Sequence, residues 1–375
     1  MSGPVVPQQN EHAQRQMSHA PGRGIPGWRT FVSLSRRVRA LLVGAVTFVV
    51  LFTLMLTVPV PYVILSPGPT FNTLGEGYGQ QIITINGIKT KATTGNLNMT
   101  TVNVGTDSIT AFDALAGWLI HDRVVVPKAA VYPPGQSEQQ VNRQNTQDFV
   151  ASQDSAIEAS SCELGYPKQV GVQTVDGSGA SAKALKPSDI IEQIDGKPAA
   201  TVDELTGLLK AQTPGTTAVV IIKRQGKQQT VSIALGKPLA GRTGASLGIS
   251  LGDVCQAPYA VDLGLANEIG GPSAGMMFAL GIIDKVGTKD LTGGRFIAGT
   301  GTIDAAGNVG PIGGIQLKMI AARKAGATVF LAPAGNCSDV LGAIPGGLDV
   351  VKVNTLHEAV QELEALQAGK ALQHC

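Results

Sequence analysis

Apolar and polar residues along this chain divide it into one continuous hydrophobic run and a long stretch of alternating periods. The run is Ala40 to Val58, nineteen residues without a charge. At about 1.5 Å per residue it just reaches across a bilayer core of ~30 Å. Pro59 and Pro61 end it, because proline cannot continue a helix. Residues 1–39 are rich in Gln, Pro, Gly, Ser and Arg and poor in apolar residues, a composition expected of a disordered tail.

After the run the periodicity changes repeatedly. Strands are predicted at 81–87, 97–104, 170–175, 218–224, 229–233, 296–300 and 328–332, where apolar residues alternate or cluster briefly between turn signals. Helical spacing occurs from Ala111 to His121, with Phe112, Leu115, Trp118 and Leu119 on one face. Helices are also predicted at 136–151, 155–160, 202–210, 273–286, 315–325 and 356–366. Ser66-Pro67-Gly68-Pro69 reads as a turn. The mixture predicts an α+β fold. Its expected parts are the tail (1–39), a membrane helix (40–58), an N-terminal or linking region (62–164), a compact unit (165–236), a last domain (237–366) and a C-terminal tail (367–375).

Charge orients the apolar run. Arg29, Arg36, Arg37 and Arg39 precede it and no basic cluster closely follows, so the N-terminus is expected in the cytoplasm and the bulk of the chain outside. A cleaved signal peptide would have a shorter apolar core, a shorter leader and a small-x-small site. The net charge of +2 points to no polyanionic partner, and no nucleic-acid-binding pattern occurs. Four cysteines, Cys162, Cys255, Cys337 and Cys375, allow three disulfide connectivities or none. A Cys337–Cys375 bridge within the last domain would tie down the chain end and would leave Cys162 with Cys255. No C-x-x-C or paired Cys/His spacing offers a zinc site.

The candidate chemistry lies in the last domain. Gly271-Pro272-Ser273-Ala274-Gly275 places a serine in a glycine-flanked turn, and Lys318 follows on an amphipathic run. A serine becomes nucleophilic only when something takes its proton. No histidine is near Ser273 in sequence, so a lysine is the natural base. It must be neutral to act, and burial among Ile312, Ile315, Leu317, Met319 and Ile320 would favour that form. The same serine motif satisfies G-x-S-x-G, the nucleophile elbow of α/β-hydrolases. That alternative needs His357 or His374 as base and Asp304 or Asp339 as acid, and the upstream βαβ repeats of that fold are missing.

Two resemblances extend this reading. Residues 168–236 run strand, small-residue loop, Leu185-Lys186-Pro187-Ser188-Asp189-Ile190, then a helix and a hairpin. This resembles a PDZ domain of bacterial secreted proteases, with Ser188 in place of the usual glycine. Gly270 to Gly275, Gly299 to Gly314, Ile315 to Ala327 and Pro333-Ala334-Gly335-Asn336 together resemble the proteolytic domain of the Lon family. With Pro61 to Phe71 and Val131 to Gly135, the wider chain is similar to bacterial membrane-anchored PDZ–Lon proteins.

The resemblance implies a nucleophile at Ser273, a general base at Lys318 and a lysine-binding hydroxyl at Thr300. It also implies an oxyanion hole from the backbone around Gly271, Pro272, Ser273 and Ala274. The family's acidic residue three positions before the serine is here Gly270; Glu268 is near but does not align. No G-x-x-x-x-G-K-[ST] run occurs, so an ATP-independent endopeptidase without cofactor or metal is expected. Its substrates would be misfolded or flexible extracytoplasmic proteins, recruited or gated by the PDZ domain. Rings of identical subunits, a hexamer being one form, are the assembly the resemblance implies. The competing reading is a PDZ adaptor with an inactive protease domain.

Overall fold

The computed structural model describes residues 35–375 apart from 106–107, 121, 239–240, 242 and 266–268. The chain divides into two compact units after Val58. In the first unit the described element is helix α1, Arg36–Thr57, 22 residues long and so about 33 Å. Ser35 caps it by accepting from the Val38 amide, which lets it start four residues before Ala40. Its surface is apolar, none of its residues is buried, and it is long and hydrophobic enough to cross a membrane. Thr53 and Thr57 return their hydroxyls to backbone carbonyls one turn earlier, at 2.8 Å each, which satisfies both donors within the helix.

The second unit is built on a six-stranded mixed sheet of order β14-β13-β12-β3-β1-β4. In chain order its strands are β1 (Tyr62–Asn72), β3 (Asn96–Val104), β4 (Val124–Pro127), β12 (Phe296–Gly299), β13 (Val329–Pro333) and β14 (Asp349–Val353). Strands β3, β12, β13 and β14 are parallel; β1 runs antiparallel to both β3 and β4. Alternate side chains along these strands enter two different cores. Leu97, Met99, Ile297, Leu331 and Val351 meet α5 (Gly275–Val286) and α7 (Leu356–Gln367). Ala298, Phe330, Ala332 and Val350 meet α6 (Ile315–Ala325) on the opposite face. Sheet faces covered on both sides need apolar residues at consecutive positions, and Val329-Phe330-Leu331-Ala332-Pro333 is buried throughout.

This arrangement corrects the expected division of the chain. Residues 62–164 are not a separate linking region, because β1, β3 and β4 complete the same sheet as the C-terminal strands. Helix α3 (Glu138–Glu163) is one uninterrupted helix rather than two pieces. Its Phe149 is fully buried and meets Phe278 of α5 edge-on, with ring centres 5.7 Å apart. Ser66-Pro67-Gly68-Pro69 is a bulge inside β1 rather than a turn, where the register against β3 shifts between Pro67 and Thr70. Proline supplies no ladder donor, and a Cβ on Gly68 would meet the Thr101 backbone at 2.8 Å.

The middle unit has its own core, which includes Val172, Leu185, Ile191, Leu205, Val220, Ile222 and Ile233. It comprises β5 (Lys168–Val175), β6 (Ile190–Ile194), β7 (Lys197–Pro198), α4 (Val202–Lys210), β8 (Thr217–Arg224), β9 (Lys227–Ala234) and β10 (Ile249–Cys255). It extends beyond the expected limit at 236, because β10 pairs with β5 and Ala245 and Leu247 enter this core. Asp189 is completely buried and held by Arg224 through Nε at 2.7 Å and a second nitrogen at 2.6 Å. Ser188 has φ +68, the left-handed conformation that glycine takes without cost. Its hydroxyl donates to Glu158 of α3. The middle unit is thereby tied to the helix that also packs on α5.

Two disulfides add covalent ties. Cys162 at the end of α3 is bonded to Cys255 at the end of β10, and Cys337 to Cys375. The last nine residues are accordingly bound rather than free: Gln373 O accepts from Lys352 N at 2.8 Å, beside the edge of β14.

Glu158 is 2% exposed, and burial pushes its carboxyl up to about 7, against the opposing effect of the Ser188 hydroxyl. A carboxyl raised in the folded state contributes its full share of stability below its unfolded value and loses it as pH rises through about 7. Glu158→Gln, which removes the charge and keeps an acceptor, is expected to exceed the parent in stability by about 1–2 kcal/mol at pH 8. Near pH 4.5 the two should coincide in urea unfolding. An equal difference at both pH values would show that charge at this site is not the cause.

Candidate functional site

The site forms where helices from opposite faces of the sheet meet beyond the end of β12. Strand β12 stops at Gly299, and Thr300 follows it directly. Ser273 lies just before α5 on one face; Lys318 lies in the first turn of α6 on the other. Lys318 Nζ donates to Ser273 Oγ at 2.7 Å and to Thr300 Oγ1 at 2.9 Å. The Thr300 hydroxyl donates in turn to the backbone carbonyl of Ser273 at 3.0 Å, and Gly301 N donates to that carbonyl at 2.9 Å. Three residues separated by up to 45 positions thus share one hydrogen-bond network.

Local sequence explains each placement. Gly271 has φ +85, a conformation that side chains with a Cβ rarely adopt, and it turns the chain sharply before Pro272 and Ser273. Gly314 takes φ +69 at the start of α6. Asn336, almost wholly buried, fixes the loop before that helix: its Oδ1 accepts from Ile312 N and its Nδ2 donates to Ile312 O, each at 2.9 Å. Lys318 is then forced inward among Ile315, Leu317 and Met319 and is only 4% exposed.

Burial decides the charge of that lysine. Desolvation penalises an ammonium, and no carboxylate forms an ion pair with Lys318 among the described residues. Its amine is pulled down to about 7. A neutral fraction therefore exists at ordinary pH, and the amine has a lone pair in contact with a serine hydroxyl. Thr300 controls where that lone pair points. Its own hydrogen is committed to the Ser273 carbonyl, so its oxygen can only accept from Nζ. Once the amine is neutral, one N–H is held there and the lone pair is left to accept from the Ser273 hydroxyl, reversing the donation between the same two atoms.

A support that single-sequence reasoning missed comes from α3. Asn145 O accepts from Gly271 N and Ser152 Oγ donates to Pro272 O, both at 2.8 Å. Gly270 and Gly275 are required to be small, since a Cβ there would meet Asn145 at 2.9 Å and Ser152 Oγ at 2.4 Å. The only sequence signal for this role was a polar run with helical propensity 120 residues upstream. Gly270, the departure from the family's acidic position, thus packs directly on α3; Glu268 lies outside the described residues.

The site opens into a cleft of about 330 Å³ lined by Phe71, Tyr78, Thr101, Asn103, Ile269 and Gly271 among others, with Ser273 and Lys318 inside it. The amides of Ser273 and Ala274 make no backbone bond among the described residues, and they stand at the N-terminal end of α5, where backbone donors and the helix dipole both favour an anion. The other candidate bases are elsewhere. His357 is engaged by Glu163 and Gln361, and His374 by Val350 and Asp349. Asp304 binds Asn308, and Asp339 binds Asn336. None of the four joins Ser273 in a hydrogen bond.

Comparison with known proteins agrees with this geometry at the level of domains. Residues 141–235 match the family described as PDZ domain, and residues 266–366 match the Lon protease (S16) C-terminal proteolytic domain. The chain is 37% identical over 93 residues to Lon protease 1 of Sorangium cellulosum, covering 24% of this chain and 11% of that protein. It is 35% identical over 95 residues to Lon protease 2 of Bacillus subtilis, covering 25% and 17% respectively. The chain therefore spans less than a fifth of the length of these relatives. A solved PDZ domain of an SdrC-like protein from Listeria monocytogenes is 25% identical, with a TM-score of 0.21, covering 22% of this chain and 86% of that one. The chain carries a PDZ domain and, after it, the C-terminal proteolytic domain of the Lon protease family.

Proposed function

We propose that the protein is a membrane-anchored serine endopeptidase in which Ser273 is the nucleophile and Lys318 the general base. The observation that carries this reading is the 2.7 Å contact between a buried, depressed lysine and a serine hydroxyl at the head of a helix. In the first step neutral Lys318 takes the Ser273 proton as Oγ attacks the peptide carbonyl. The carbonyl oxygen becomes an oxyanion facing the Ser273 and Ala274 amides. The tetrahedral adduct then expels the amine, which leaves with the proton from Lys318, and an acyl-serine is left. Water attacks the ester, Lys318 accepts its proton and returns it to Ser273, and the carboxylic acid departs. No step consumes a nucleotide. Thr300 is a positioning residue throughout.

The PDZ domain supplies the recruiting surface in this reading. Strand β10 pairs with β5 along one edge only, and beside it lies a groove formed with α4 and lined by Leu205, Leu209, Leu247, Ile249 and Leu251. Such a groove takes an extended peptide by strand addition, with apolar pockets for its side chains. Flexible or misfolded protein segments are the substrates that fit, because the cleft at Ser273 has no accompanying unfolding motor in this chain. Placement outside the cytoplasm is supported by the arginines at the start of α1 and by two disulfides, which persist in oxidising compartments. Assembly into rings, including a hexamer, remains part of the proposal on family resemblance alone.

With casein as substrate and no ATP, Ser273→Ala and Lys318→Ala are each expected to reduce kcat/KM by at least ~10³-fold, while the parent cleaves. Equal cleavage by all three would overturn the dyad, and His357→Ala should leave the rate unchanged. For the parent, kcat/KM should rise about tenfold per pH unit below about 7 and level off above it. The direction follows from the base being active only when deprotonated. A profile falling with pH would contradict Lys318 as base. Thr300→Val is expected to lose about 10- to 100-fold in kcat with KM little changed, and Thr300→Ser to recover most of it. Failure of serine to rescue would mean that Thr300 acts through packing and not through its hydroxyl.

A further inference from the structure

Helix α2 (Ala111–Leu119) carries an apolar stripe that is left exposed among the described residues. Its inner side is used: Ala114 and Gly117 are buried, and a Cβ on Gly117 would meet Val125 at 2.8 Å and Ile64 at 3.5 Å. The stripe beside that inner side is formed by Phe112, Leu115, Trp118 and Leu119, spaced by three or four residues. Trp118 is 64% exposed and Leu119 73%. No carboxylate interrupts the stripe, since Asp113 is turned to Thr110 as part of the N-terminal capping box.

The position of α2 in the chain says what could cover this face. Thr110, its cap, forms a β-bridge with Pro59, and Val60 N donates to Ile109 O at 2.9 Å. Pro59 is two residues beyond Thr57, where α1 ends. Thr110 is thus bridged to the residue that directly follows Val58 in sequence. The helix is itself nine residues and only about 13 Å long. Short helices with one apolar face, tryptophan included, lie in the interfacial layer with that face dipped into the acyl boundary. A second copy of the chain is a poorer occupant. Four side chains on nine residues fall well short of the ~800 Å² per partner that a stable interface needs.

We infer that the outward face of α2 docks on the lipid surface from which α1 emerges, with Phe112, Leu115, Trp118 and Leu119 as the inserted side chains. This docking rests on α1 being a membrane span. Its energetics are apolar, so it needs no anionic lipid. It would hold the catalytic unit against the membrane rather than leave it tethered by residues 58–61 alone.

The test uses the full chain with Trp28→Phe, which leaves Trp118 as the only tryptophan. The protein is reconstituted into phosphatidylcholine vesicles, with and without bromine on the acyl chains near the headgroup, and floated on a density gradient. The expected result is co-flotation with the vesicles, a blue-shifted Trp118 emission and at least twofold quenching by bromolipid. Leu119→Asp in the same background should float equally, cleave casein in detergent at the parent rate, and lose most of the quenching. Co-flotation with unquenched, red Trp118 emission would overturn the docking while leaving the span intact. Unquenched emission that shifts blue with protein concentration would assign the face to a second copy. Failure to float would overturn the span itself, and the docking with it.

Discussion

A lysine amine kept out of water is the constraint around which this protein is arranged. Lys318 offers a lone pair only if the fold makes the ammonium expensive, and the fold does so with apolar neighbours and no counter-carboxylate among the described residues. Desolvation alone would leave the amine unsatisfied. The remaining polar contacts are therefore two hydroxyls, from Thr300 and Ser273, which partner the neutral amine without restoring its charge. A carboxylate in either place would hold the proton on the lysine.

The sheet makes this meeting feasible. Helices α5 and α6 lie on opposite faces and could not touch through four parallel strands. Lys318 of α6 reaches Ser273, just before α5, because β12 ends at Gly299 and the chain continues as Thr300 across the sheet's end. Helix α3 then closes the arrangement from outside. Asn145 and Ser152 hold the two residues before Ser273, while Glu158 and Cys162 of the same helix are joined to Ser188 and Cys255 of the middle unit. One helix thus touches both the loop before Ser273 and the middle unit.

Much of this is legible in the order of residues along the chain. The apolar run, the helices at 202–210, 315–325 and 356–366, and the strands flanking them follow from local periodicity and glycine punctuation, because those depend on neighbours within a few residues. Ser273, Lys318 and Thr300 stand out because glycine and proline around them mark tight backbone turns at fixed spacing. The bulge at Ser66 to Pro69 reads as a turn in sequence, since proline and glycine serve both purposes and only the partner strand β3 distinguishes them.

The sequence by itself determined which residues carry the candidate chemistry and that a membrane-length helix precedes them. Tertiary structure alone decided that strands from residues 62–164 complete the six-stranded sheet and that α3 braces the serine loop. It also decided that Lys318 is buried deeply enough to have its pKa lowered and that the stripe on α2 is left exposed among the described residues. The reason is physical. Periodicity records which side of an element is apolar, but not what that side will face. Desolvation, register and bracing contacts come from residues far apart along the chain, and they exist only once the chain has closed on itself.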